Sequence, residues 1–145
     1  MTVSSQQRGT PEPPAPDRVL DLRGVLEDLV REGRVNRTTA ENLVIAPRRR
    51  EQLHMHPLEI VAEEEFEDLT DPGTHLDLER LTYWLAERAG QPYYRIDPLK
   101  INVERVTEAM SYQFAQRHNI LAVEIHDEEI VIASAQPFAH GWENM

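Results

Sequence analysis

The sequence predicts an α/β (α+β) protein: a small three-stranded sheet covered by helices, with a helical extension at its N-terminal side. Three observations predict it. Apolar residues recur at helical spacing through the first half of the chain. Short strand-like runs alternate with helical patterns in the second half, which points to a sheet layered with helices. Turn residues such as Asp71-Pro72-Gly73 and Asp97-Pro98 separate the segments.

Residues 1–16 carry Pro11, Pro13, Pro14 and Pro16 among Ser, Gln and Gly. Such a segment buries too little apolar surface to offset its ordering entropy and reads as a disordered, polyproline-like tail. Residues 17–70 read as a helical subdomain. Its first helix is expected from Arg18 to Glu32, capped by Asp17, with Val19, Leu22, Leu26, Leu29 and Val30 on one stripe and Gly33 at its end. A second, shorter helix has capping-box spacing at Thr38 and Glu41, apolar contact from Leu43 and Val44, and a stop at Pro47. Arg48, Arg49 and Arg50 read as a solvated linker rather than a phosphate clamp. A third helix starts at Pro57, where a missing N–H costs nothing. Leu58, Val61, Ala62 and Leu69 form its expected buried side, and Glu63, Glu64, Glu65, Glu67 and Asp68 a solvated acidic face.

Residues 71–145 read as the α/β layer. Leu78, Leu81, Leu85 and Ala89 have helical spacing, with Trp84 beside the stripe and Gly90 as terminator. Tyr93, Tyr94 and Ile96 read as a short strand. Asn102 caps a helix in which Val103, Val106, Met110 and Phe114 make one stripe, ended by Asn119 in the left-handed region. Ile120–Ile125 and Glu129–Ala133 pair as a hairpin across Asp127 and Glu128. Leu81, Leu85, Val106, Met110, Phe114, Ile120, Val123, Ile130 and Ile132 are expected to form one core.

Composition narrows the function. The chain of 145 residues has a net charge of −11, which opposes broad nucleic-acid binding and adhesion to anionic lipid. Cysteine is absent, so disulfides and thiolate zinc sites are excluded. No apolar run approaches the roughly 20 residues needed to span a bilayer. None of the 6 glycines belongs to a G-x-x-x-x-G-K-[ST] loop, so no phosphate cradle of that kind is present. His54-x-His56 lacks a matching second half and reads as a surface pair, so no metal is assigned. Ser111 and His118 stand seven residues apart on an expected helix, roughly 10 Å along its axis, too far for a nucleophile and its base. No catalytic or cofactor-binding residue is assigned.

From Leu76 to Phe138 the residues carry a resemblance. Leu81–Ala89 is followed by Gly90-Gln91-Pro92-Tyr93-Tyr94-Arg95-Ile96-Asp97-Pro98 and by Ile101–Val106. Then come Ile120-Leu121-Ala122-Val123 and Ile130-Val131-Ile132-Ala133-Ser134-Ala135-Gln136-Pro137. In order and spacing this resembles the N-terminal domain of the type II secretion and type IV pilus-assembly ATPases, the GspE/PilB family. Ala122 departs from the proline usual there, a change expected to affect only strand-edge geometry. The resemblance implies a non-catalytic regulatory and docking domain ahead of a hexameric motor. It implies a cytoplasmic location, peripheral to the inner membrane, with the cytoplasmic part of an inner-membrane platform protein as partner. Val19, Leu22, Leu26 and Leu29 are the candidate partner-binding residues: their stripe either packs on the domain's own helices or is offered to the partner.

The resemblance also raises an alternative, a cyclic di-GMP sensor. Some of these ATPases bind that nucleotide through repeats of the form R-L-G-x-x-L-V-x-x-G. Leu29, Val30, Gly33 and Val35 match the end of the pattern, but Gly24 stands where arginine is expected and Leu26 where glycine is expected. No second copy is legible near Thr70–Leu76.

Overall fold

The computed structural model describes residues 18–144. The expected tail at 1–16 and the expected cap Asp17 lie outside the described residues. Two compact units emerge, one from Leu20 to Arg88 and one from Ala89 onward, the latter including Arg18 and Val19. The division thus falls near Arg88, whereas the sequence suggested 70/71.

In the first unit, α1 runs from Leu22 to Arg31. It starts later than expected because Asp21 is extended and its side chain accepts from the Gly24 N–H at 2.8 Å. Val19 therefore lies outside the helix and is exposed. Leu22, Val25, Leu26 and Leu29 are buried, and Gly33 ends the helix at φ 73°. The next helix, α2 (Arg37–Ile45), is capped by Asn36, whose Oδ1 accepts from the Thr38 N–H at 2.8 Å. That cap sits two residues ahead of the expected Thr38, and Ala40 is the buried residue of the helix. A 3₁₀ turn at Arg50–His54 leads to α3 (Pro57–Glu63), which begins at the expected proline. His56 Nδ1 accepts from the Leu58 N–H, and Glu59 reaches back to the His56 N–H. Leu58, Ile60 and Val61 are buried, whereas Leu69 lies beyond the helix and is exposed. In α4 (Leu78–Ala89) the side chains of Leu81, Trp84 and Leu85 turn inward, and Gly90 follows at φ 65°.

In the second unit the sheet has two strands rather than the expected three. Tyr93–Ile96 makes no ladder. Pro92 and Pro98 remove N–H donors on both sides of it, and it is tied instead through the Tyr94 hydroxyl, which donates to Glu124 at 3.0 Å. The single helix expected after Asn102 is two. Asn102 caps α5 (Val103–Ala109) as expected. Met110 then opens to φ −150°, ψ 126°, because Ser111 starts a new helix by accepting from the Phe114 N–H at 3.2 Å. The second piece, α6 (Tyr112–His118), ends at Asn119 with φ 52°, the left-handed cap expected there. The break dissolves the expected stripe: neither helix has a fully buried residue, and Val103 is exposed.

The hairpin forms as expected. Strands β1 (Ile120–Ile125) and β2 (Ile130–Ser134) pair antiparallel, with Ile120 opposite Ser134 and Ile125 opposite Ile130. A bulge between Ala122 and Glu124 lets the consecutive residues Ala122 and Val123 both be buried. Ala122 is wholly enclosed opposite Ile132. The expected single core is two: Leu81 and Leu85 belong to the helical unit, Ile120 and Val123 to the sheet unit, and Ile130 is exposed.

Candidate docking groove

Two turns of backbone build the helical unit's framework. After α1 the chain passes through Gly33 in the left-handed region, then Asn36, whose side chain accepts from the Thr38 N–H. After α3 it passes through Glu65, also left-handed at φ 51°, then Asp68, whose side chain accepts from the Thr70 N–H at 2.9 Å. Gly33 and Glu65, Asn36 and Asp68, and Thr38 and Thr70 each stand 32 residues apart, as do the buried pairs Leu26 and Leu58, Leu29 and Val61. The unit therefore repeats one device, a helix followed by a left-handed residue and an Asn/Asp side-chain turn, which caps a helix only in the first copy. The sequence signal for the second copy was Asp68-x-Thr70 matching Asn36-x-Thr38. It was hidden because glutamate replaces glycine at the turn.

Asp68 ties the copies together. Its carboxylate is fully enclosed and takes hydrogen bonds from Arg34 Nη1 at 2.7 Å, Arg80 Nη1 at 3.4 Å and the Thr70 hydroxyl at 2.6 Å. The Leu69 N–H donates to the Arg34 carbonyl beside it. Burial pushes the Asp68 carboxyl up, but the Thr70 hydroxyl and N–H and the Arg34 guanidinium together bring it below its ordinary value. Arg34 Nε is buried without a hydrogen-bond partner. This cluster is a structural clasp rather than an open site.

One accessible feature of the unit is a groove of about 370 Å³ between α1 and α2. Leu26, Val30, Ala40 and Val44 lie along it, with Arg23 and Arg37 at its margins. Of the four sequence-predicted partner residues, Leu22, Leu26 and Leu29 are buried in the unit, and only Leu26 borders this groove. Val19 belongs to the other unit. The stripe packs on the domain's own helices, and the α1/α2 groove lies beside it. A second hollow, about 310 Å³, lies in the sheet unit along Ile130, Ile132, Gln136 and Trp142.

The remaining constellations are occupied locally. His56 is a helix cap, and His54 lies in the 3₁₀ turn. Among the described residues no group of three or more His, Asp or Glu is placed to hold a metal. Ser111 Oγ accepts from a helix N–H, while the His118 ring lies 4.6 Å from that of Phe114. Arg49 pairs with Glu63 at 2.9 Å. Glu124 is drawn below its ordinary value first by His126 and then by the Tyr94 hydroxyl. Among the described residues no helix is long and apolar enough to cross a membrane.

Comparison with known proteins gives two similarities. Residues 89–143 match the family model of the MshEN domain, and this stretch coincides with the sheet unit. Over 123 residues, 85% of the chain, the sequence is 39% identical to the type IV pilus assembly ATPase TfpB of Acinetobacter baylyi (strain ATCC 33305 / BD413 / ADP1). The chain is thus similar to a type IV pilus assembly ATPase along most of its length, and its sheet unit is similar to the MshEN domain. It spans 21% of the length of that relative. No solved structure matches it.

Proposed function

We propose that the chain is a non-catalytic regulatory and docking domain of a pilus-assembly or secretion ATPase. It binds the cytoplasmic part of an inner-membrane platform protein and so sits at the cytoplasmic side of that membrane. The observation that carries this reading is the match to a pilus ATPase along most of the chain, combined with the absence of a phosphate loop from its sequence. The motor of the parent protein would reside in the rest of its length. Titrating the isotope-labelled chain with the platform protein's cytoplasmic domain tests the proposal. Saturable chemical-shift changes support it, and none at high concentration removes it.

A second reading, cyclic di-GMP sensing, draws support from the arginines at the margins of the α1/α2 groove next to the Leu29–Gly33 turn. Two features weigh against it. Gly24 occupies the expected arginine position, and its N–H is engaged by the Asp21 cap. Leu26 fills the position where glycine would let a ligand approach the backbone. A micromolar calorimetric response to cyclic di-GMP would make this the better reading.

A further inference from the structure

We infer that the α1/α2 groove is the docking site, and that its occupant is an amphipathic protein helix whose apolar stripe is flanked by acidic residues. The inference rests on the docking reading above and names its surface and chemistry.

The groove is built by steps of four residues, which keep side chains on one side of a helix. Its floor is Leu26 and Val30 from α1, Ala40 and Val44 from α2. Its walls are Arg23, Glu27 and Arg31 on one side and Arg37, Glu41 and Ile45 on the other. Ile45 is 77% exposed, an apolar side chain at the groove's margin with little of its surface covered. A lining drawn out over about two turns of each helix, from Arg23 to Arg31 and from Arg37 to Ile45, suits another helix rather than a compact ligand.

Charge selects the kind of helix. Arg34, Arg49, Arg80 and Arg88 each hold a carboxylate of the chain, and Arg31 in the wall holds Asp28. Arg23 and Arg37, like Arg48, Arg50, Arg105 and Arg117 elsewhere, hold none among the described residues, but these two flank the same groove. Two unpaired guanidiniums facing one groove leave it seeking carboxylates. Glu27 and Glu41 stand between them and repel a compact polyanion such as a nucleotide diester. A helix avoids this conflict by spacing its own acidic residues to meet Arg23 and Arg37.

Two helix-stabilised peptides of about 18 residues, some five turns, test this. Both carry the same leucine stripe; one is flanked by glutamate, the other by lysine. The Glu-flanked peptide should bind the chain roughly tenfold more tightly, with shifts at Leu26, Val30, Ala40 and Val44, and more weakly as salt rises. The double variant Arg23→Glu/Arg37→Glu, whose sites are exposed and whose fold is checked by circular dichroism, should invert the preference. Equal binding of the two peptides, no binding, or displacement by micromolar cyclic di-GMP would overturn the inference. Titration with the platform domain separates the two readings. If the Glu-flanked peptide binds and the platform domain does not, the groove chemistry stands and the platform reading fails. If the platform domain binds wild type and double variant equally, docking stands and the groove is not its site.

Discussion

Replacing Asp68 by asparagine keeps the side chain's shape and removes its charge. The carboxylate is enclosed completely, while Arg34 and Arg80 are 22% and 35% exposed. Removing one partner of a fully buried pair costs about 3–5 kcal/mol. Solvent reaches both guanidiniums, so the Coulomb part is screened, and asparagine Oδ1 can still accept from the Thr70 N–H. The expected loss is therefore about 2–4 kcal/mol, confined to the helical unit. Urea unfolding followed by tryptophan fluorescence in a Trp142→Phe background reads that unit, because Trp84 is buried there and donates to Glu32 at 2.6 Å. The pH dependence has a definite sign. The folded carboxyl lies below its ordinary, unfolded value. Its contribution is complete above the unfolded value and is lost as pH falls through the lower folded one. Wild type and variant should therefore converge in stability on acidification. A loss under about 1 kcal/mol, or a difference unchanged down to strongly acidic pH, would refute the clasp.

Three other substitutions give separate checks. Leu29→Ala, at a fully buried position, should cost about 2–5 kcal/mol in the same unfolding assay. Gly33→Ala meets open space but a φ of 73°, so backbone strain alone should cost about 1 kcal/mol by thermal melting. Phe114→Ala should cost about 1–2 kcal/mol, well below the 3–5 of an enclosed ring, because the side chain is only half-buried beside His118.

Local chemistry was legible where one residue decides the geometry. Pro57 opens a helix, Asn119 closes one in the left-handed region, and Asp127-Glu128 turns the hairpin. Reading failed where two local signals compete. The stripe Val103–Phe114 predicts one helix, but Ser111 makes a better cap than interior residue, and the cap prevails. Asp21 likewise displaces the expected start of α1 by four residues. The tyrosine segment has strand composition, yet prolines on both sides deny it a ladder. The groove was invisible for another reason. The stripe Leu22–Leu29 identifies what is buried, whereas a docking surface consists of what remains beside it, and that depends on how α2 packs against α1.

The left-handed turn at Glu65 carries a consequence for how such proteins are detected. A glutamate holds there the backbone that glycine holds at Gly33, although a side chain in that region costs about 1–2 kcal/mol. The neighbouring helix, the Asp68 side-chain turn and the clasp hold the angle, so the conformation persists without the residue that ordinarily marks it. A pattern keyed to glycine passes over this half of the chain and counts one copy where there are two. Searching by dihedral angles instead of letters would recover divergent members of such domains, and Glu65 is a position where glycine could be introduced to release stored strain.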